Sequence, residues 1–439
     1  MAREPGSAPE RPRHEIETTT LRKVGWRLIP LLALGYLAAF IDRVNVSFAA
    51  LQMNRDLGFS ATVYGFGAGI LFIGYALFEV PSNLILHRVG GRRWLARIML
   101  TWGITAGAMA LVRGASGFFV LRFLLGVAEA GFFPGVLYFL TYWVPAAHRA
   151  RLVGLFMIAI PVSTAIGGPV SSALLRLDGM LGLAGWQWLF VFETIPSLIV
   201  GVATLIYLRD TPSEAEWLTP PEKQWLTETL AAERALQMRS QPTLIQALTS
   251  TRVLVLGLCY FCADFGLYGV LLWVPQILSH AGISEAFVGS FVALPYAAAA
   301  AGMWWWSWHS DLTGERRWHI VAAALLGFCG LAASAYTVDS PLLSVVAITC
   351  GAVGTLGILP IFWTLPAAML SGEVAAGALA LINSVGNLGG FTGPYLMGWT
   401  KTMSGDFTYG LLLVACGVLT SGLIALLVGE HPVRQPARV

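Results

Sequence analysis

The chain alternates long apolar runs with short polar breaks, and the runs lack the every-second-residue alternation of half-buried strands. A helix needs about 20 apolar residues to cross the hydrocarbon core of a bilayer. Runs of that kind lie near 25–48, 62–84, 95–112, 117–140, 152–175 and 186–208. After a polar stretch they resume near 253–279, 286–308, 319–338, 342–366, 374–399 and 407–429. The pattern predicts an all-α polytopic membrane protein with about twelve spans, six on each side of a charged segment. The short alternating segments of a membrane β-barrel are not its signature. The expected organisation is a polar tail over 1–24, a six-helix bundle over 25–208, a linker over 209–251, a second bundle over 252–429 and a tail over 430–439. Inside the linker, Thr219-Pro220-Pro221-Glu222 offers a capping box with Pro at the first helical position, so a short surface helix starts there.

Composition agrees with this picture. The 439 residues are 56% hydrophobic and 12% charged, with a mean hydropathy of +0.70, whereas soluble domains carry about 25% charged residues. Net charge of +3 is uninformative as a total; its distribution decides more. Arg88, Arg92, Arg93, Arg97, Arg149, Arg151, Arg316, Arg317, Arg434 and Arg438 fall with the linker and the N-terminal tail on one side. Arg55, Arg113, Arg176 and Lys401 fall on the other. The positive-inside rule then places both termini in the cytoplasm of a multi-pass inner-membrane protein. The first residues have no apolar h-region or small-residue cleavage site, so they read as a tail and not a signal peptide. Five cysteines (Cys259, Cys262, Cys329, Cys350 and Cys416) lie in or beside apolar runs and are expected as buried small hydrophobes. Cys259-Tyr-Phe-Cys262 has redox spacing without the strand-to-helix context that redox chemistry uses.

Few charges remain inside the spans: Asp42, Arg43, Glu79, Arg122, Glu129, Glu193 and Asp264. Intramembrane ionisable groups are costly and mark function by default. Glu193 also suits a structural acceptor between helices, Glu79 before Pro81 suits an anchor, and Asp264 suits either role. Arg122 and Glu129 are seven residues apart and share one helix face, about 10.5 Å apart along the axis. Asp42 and Arg43 are adjacent and diverge by about 100° around the first span. One of them can face the fourth span while the other faces a central cavity. An arginine fork matches a carboxylate, and carboxyl groups shielded from water can exchange protons near neutral pH. The second half has neutral candidates instead: Tyr268 and Gln276, Trp363, and Asn383 with Asn387, which share a face at i, i+4. With Tyr75 from the first half, these suit hydroxyl groups or an aromatic ring. Trp304, Trp305, Trp306 and Trp308 read as a membrane-interface belt. Gly65/Gly69 and Gly386/Gly390 have the small-xxx-small spacing of closely packed helices. No Gly-x-x-x-x-Gly-Lys pattern follows a strand, so ATP drive is unsupported.

Three landmarks repeat at one spacing. "GGRRW" at Gly90–Trp94 recurs as "GERRW" at Gly314–Trp318, Pro134 recurs as Pro360, and "IGGP" ending at Pro169 recurs in "GGFTGP" ending at Pro394. A duplicated six-helix unit follows. The loop segments resemble the signature Gly-x-x-x-Asp-x-x-Gly-x-Arg-Arg of the major facilitator superfamily, and "RFLLGVAEAGFFPG" (122–135) resembles its fourth-helix signature. "FIDRVNVSFA", "FEVPSNL" and "LINSVGNLGGFTGPYLMGW" resemble, more narrowly, its anion:cation symporter branch, which includes bacterial tartrate, phthalate, hydroxyphenylacetate and sugar-acid permeases and animal sialic-acid carriers.

The resemblance implies two parallel six-helix bundles with the site between them. It implies that Arg43 holds a substrate carboxylate and that Asp42, Arg122 and Glu129 couple a proton. It assigns Arg88, Gly90, Arg92, Asp311, Gly314 and Arg316 to conformational gating. The first loop departs from the family pattern, with His87 where Asp is usual and Asn83 where Gly is usual; the second keeps Asp311 but has Ser307 for Gly. His87 cannot supply the anionic lock that the family's Asp supplies when the carrier faces outward. The expected activity is proton-coupled symport of a small organic anion by alternating access, with the proton as coupling ion, no other cofactor, no metal and no nucleic-acid partner, in a monomer. An exchanger, a uniporter and a transporter-like sensor are the alternatives. An enzyme is not expected, since the seven histidines are scattered in loops and at helix ends.

Overall fold

A computed structural model describes residues 10–237, 250–337, 339–369 and 372–428. Arg434, Arg438, the tail over 430–439, residues 1–9 of the first tail and residues 238–249 of the linker lie outside the described residues. The first half contains α1 (Glu10–Asp56), α2 (Ala61–Val89), α3 (Gly91–Ala108), α4 (Ala115–Glu129), α5 (Phe132–Leu140), α6 (Ala146–Met157), α7 (Ala159–Leu175) and α8 (Gly185–Tyr207). A surface helix, α9 (Pro220–Gln237), follows. The second half contains α10 (Thr251–Leu271), α11 (Val274–His280), α12 (Glu285–Thr313), α13 (Arg317–Ser334), α14 (Pro341–Met369), α15 (Gly372–Ser404) and α16 (Thr408–Leu427). Among the described residues, eleven helical segments are long and apolar enough to cross a membrane. The glycine- and asparagine-bearing α15 is a further long helix, packed against α2 and α10.

Three departures from the sequence reading have physical causes. Residues 10–24, expected as a tail, continue α1 as helix. Packing holds the segment, since Thr20 and Val24 are fully buried. Lys23 also pairs with Glu222 of α9 at 2.8 Å. The fourth span is broken: α4 stops at Glu129, Gly131 sits at φ 85°, and α5 begins at Phe132. A side chain on Gly131 would run into Ser82, so only glycine suits this bend. Finally, Cys259 and Cys262 are buried, but Cys329 and Cys416 are exposed on the outer face of the bundle. In a membrane helix, the apolar environment is found on the outside as well as within.

Close packing of glycines positions the halves. Gly65 and Gly69 of α2 press against the backbone of Pro394 and Phe391 in α15, and Gly390 against the Phe72 ring. Most hydrogen bonds between the halves gather at the end away from the two loop motifs. There Asn54 meets Gln276, Arg55 meets Glu285, Thr62 meets Thr402, and the Tyr64 hydroxyl donates to the Leu272 carbonyl. Ser172 meets the Gly289 amide, and Arg176 donates to the Ala286 carbonyl. That end is sealed; α9 and the loop motifs occupy the other.

Candidate functional site

Arg43 lies near the middle of α1, 7% exposed, on the wall between the halves. Its Nη2 and Nε donate to Glu129 Oε2 at 2.6 and 3.1 Å, and its Nη1 donates to the Tyr268 hydroxyl at 3.1 Å. Phe40, Tyr75 and Phe72 rings flank the guanidinium with centroids 5.0, 5.4 and 5.8 Å from Cζ. Glu129 is the last residue of α4, so the break in the fourth span sits beside its carboxylate. Its other oxygen, Oε1, is buried with no partner. A buried ion pair gains from such geometry, but removing one partner strands the other at a cost of about 3–5 kcal/mol.

A cavity surrounds this pair, lined by Tyr75, Tyr268, Trp363, Asn383, Asn387 and Asp264 among others. Five of the six neutral residues named from the sequence therefore line one cavity with Arg43. The free space is about 40 Å³, enough for a few waters at most and too little for an organic acid. Side chains must move for one to enter. Phe133 and Trp363 face each other across the halves on the loop-motif side, with ring centroids 6.1 Å apart. Sequence reasoning left Asp264 open between roles; it lines the cavity, 3% exposed, as the second carboxylate. Gln276, grouped with the cavity candidates, instead accepts from Asn54 at the sealed end.

Asp42 and Arg122 are buried but outside the cavity wall. Asp42 turns into the first bundle, where the Trp102 indole donates to Oδ2 at 3.2 Å and Ser197 Oγ donates to the same oxygen. It faces α3 and α8, not the fourth span. Trp102 itself lines the cavity, so Asp42 reaches the site through one side chain. Arg122 donates from Nη2 to the Ala68 carbonyl at 2.9 Å and from Nε to the Gly67 carbonyl at 3.4 Å, tying α4 to α2. Glu193 accepts from Ser171 at 2.5 Å, and its Oε2, like Asp42 Oδ1, is buried without a partner. Glu79 is fully buried and bridges the halves, accepting from Asn383 Nδ2 at 2.7 Å and Ser384 Oγ at 3.3 Å. Its placement before a proline signalled an anchor; that its partner would be a cavity asparagine 304 positions away was not readable locally.

The two loop motifs share a positive-φ glycine and differ in chemistry. Gly90 and Gly314 stand at equivalent positions with φ of 94° and 70°, a region that favours glycine. In the first loop the Arg92 amide donates to Asp210 Oδ1 at 2.7 Å, so an aspartate after α8 supplies an anion beside the motif. His87 and Arg88 are exposed, and the His87 ring lies 5.8 Å from that of Tyr138. In the second loop Asp311 pairs with Arg316 at 2.6 Å, and Arg316 also donates to Ser310 Oγ at 3.0 Å.

The family model of the major facilitator superfamily matches residues 32–394 and 256–437. The chain is 49% identical to a "Putative tartrate transporter" of Agrobacterium vitis, over 95% of this chain and 93% of the relative. It is 41% identical to a "Quinolone resistance transporter" of Acinetobacter baumannii, over 92% or more of each. Its fold matches the partially occluded inward-open xylose transporter XylE of E. coli with a TM-score of 0.74 at 16% identity, over 92% of this chain and 97% of that one. The chain belongs to the major facilitator superfamily: it is a multi-pass membrane transporter, not an enzyme.

Proposed function

We propose that this transporter carries a small organic carboxylate into the cell together with a proton. The observation that carries the reading is the buried Arg43–Glu129 pair at the centre of the cavity. A substrate carboxylate can take the Arg43 fork only by displacing Glu129. Left ionised, Glu129 would then be an unpaired anion in a nonpolar wall, beside Asp264 and the substrate's own charge, which is costly. A proton arriving with the substrate removes that charge. The proton and the anchored carboxylate group enter as a neutral pair, and only a further charge on the substrate, such as the second carboxylate of tartrate, changes the net charge of the cavity. The unpartnered Glu129 Oε1 is a place for the proton to sit. Asp42, wired to the cavity through Trp102, is a second candidate proton site, and Arg122 fixes α4 against α2.

The neutral wall supplies specificity. Asn383, Asn387 and Tyr268 offer donors and acceptors that match substrate hydroxyls. The relative named for tartrate supports a hydroxy acid. The concentration of Lys and Arg in the loop-motif end supports a cytoplasmic orientation for that end; the sealed end then faces outward, and the site communicates inward past Phe133 and Trp363. Because the proton cancels the charge of the anchored carboxylate, the pair is driven by the pH gradient, at about 1.4 kcal/mol per tenfold difference in proton concentration.

The test is uptake of labelled tartrate into proteoliposomes under an inward proton gradient. The expected result is uphill accumulation that collapses with a protonophore. Protonophore-insensitive uptake that is stimulated by internal tartrate would establish exchange instead. One observation favours a second reading of the substrate: Tyr36, Phe40, Tyr75, Phe133, Tyr260 and Trp363 ring the cavity, and one relative is named for quinolone resistance. An aromatic acid then displaces labelled tartrate more effectively than unlabelled tartrate does.

A further inference from the structure

A free space larger than the transport cavity lies outside the transport path. A crevice of about 240 Å³ opens at the loop-motif end of the first half, between the beginning of α1, the end of α5, the end of α8 and the segment leading into α9. Two arginines, Arg27 and Arg209, line it with Trp26, Trp143, Tyr207 and Trp217. Neither arginine pairs with an acidic side chain among the described residues. The Arg27 guanidinium lies 5.8 Å from the Trp217 ring centroid, and Arg209 donates from Nη1 to the Ile206 and Leu208 carbonyls. Two neighbouring acids are already engaged: Asp210 accepts from the Arg92 amide, and Glu222 pairs with Lys23. Trp143 is 0% exposed, stacks on Trp217 at 5.6 Å, and has an indole N–H buried with no acceptor. An orphaned buried donor costs about 1–3 kcal/mol. The crevice therefore offers two unpaired cations and a donor in need of an acceptor.

Its position says which kind of anion reaches it. Trp26 and Tyr207 are 78% and 70% exposed on the outer face, at the level where aromatic residues mark a membrane interface. From there the wall runs along Leu31 to the exposed Leu34, about 12 Å deeper along α1. An occupant must thus present an anionic head beside the arginines and an apolar chain along α1. We propose that this crevice binds an anionic phospholipid, with its phosphate between Arg27 and Arg209, Trp143 donating to a head-group oxygen and one acyl chain lying on Leu31 and Leu34. Basic pockets beside membrane helices recognise lipid head groups in this way. The lipid would brace α1, α5 and α8 against the docked linker, apart from the transport cavity.

Native mass spectrometry of the full-length protein in detergent tests this, using palmitoyl-oleoyl phosphatidylglycerol, the phosphatidylcholine with the same chains, and glycerol 3-phosphate. Phosphatidylglycerol is expected to bind at least tenfold more tightly than phosphatidylcholine to the wild type. The double variant Arg27→Gln/Arg209→Gln should lose that preference. Trp143→Phe, which keeps the ring and removes the N–H, should weaken phosphatidylglycerol binding severalfold. Equal binding of the two lipids by the wild type overturns the proposal whether or not the variants fold. So does a preference that survives the double substitution, or glycerol 3-phosphate displacing phosphatidylglycerol at equal concentration, which would make this a soluble-phosphate site.

Discussion

The two six-helix halves keep the same backbone landmarks and differ in what they bury. Gly90 and Gly314 both take a positive φ in equivalent loops, and Pro134 and Pro360 occupy matching positions. Yet the first half buries Asp42, Arg43, Glu79, Arg122, Glu129 and Glu193, whereas the described spans of the second bury Asp264 alone of the charged residues. Backbone landmarks persist where another residue would clash or strain. Buried charge is different: each ion in a membrane interior is costly, and here that cost falls mainly on the first half. The first half holds most of the buried charge, and the second presents a shaped, neutral wall with one carboxylate.

The strongest way to break this comparison is to change the shape of the first half's cavity cation. Arg43→Lys keeps the charge but loses the planar fork. Hydrogen bonds to charged groups are worth about 1.5–3 kcal/mol, so tartrate binding measured by calorimetry should weaken by roughly 10- to 100-fold. Wild-type affinity in this variant would remove Arg43 as the anchor. Next in size is coupling. Glu129→Gln and Asp42→Asn should lose uphill accumulation in proteoliposomes while counterflow persists, because an amide resembles the protonated acid. Asp42 acts through Trp102, so its loss should be the smaller of the two. Intact accumulation in both would transfer the proton role to Glu193 or Asp264.

Gating gives a smaller contrast. The Asp311 carboxylate is 67% exposed, and an exposed ion pair contributes at most about 1 kcal/mol. Asp311→Asn should shift the balance between inward- and outward-facing forms by up to about fivefold, read by the labelling of engineered cysteines at each end. His87→Asn should shift it less; equal shifts would show that His87 does the work of the aspartate. The smallest effect concerns the linker. Burial works to raise the Glu222 carboxyl, but Lys23 and the Thr219 amide hold it below the ordinary carboxylate range. A depressed carboxyl stabilises above its unpaired value, near 4.3, and that contribution fades as pH falls through the lowered folded value. Hydrogen exchange in α9 should therefore be pH-independent in its protection near neutrality and lose a fraction of a kcal/mol below about pH 4. Lys23→Ala should shrink that pH step, leaving the part due to the Thr219 amide.

The helices, their approximate limits and the Arg43 wall could be read from the sequence because run length, charge position and helical spacing act locally. Arg43 and Asn387 announce themselves as polar groups in apolar runs. What escaped were relations that depend on how helices meet. Adjacent residues on α1 had to diverge, but only packing shows that Asp42 turns to Trp102 and Ser197 and leaves Glu129 to Arg43. The break after Glu129 was present as Gly131, a signal that is ambiguous in a membrane helix, where glycine is also a packing residue. Glu79 and Asn383 are far apart in sequence, and nothing local pairs them. The sealed end, too, arises from many modest contacts that no motif encodes.

The central claim is that a carboxylate and a proton arrive together at the Arg43–Glu129 pair. Proton uptake on substrate binding measures this directly, in weakly buffered detergent solution with a pH-sensitive dye, on adding pH-matched tartrate to the purified protein. The wild type should take up protons in proportion to bound tartrate, and Glu129→Gln should bind tartrate with little or no uptake. Tartrate binding by the wild type without proton uptake, or undiminished uptake in Glu129→Gln, would contradict the account.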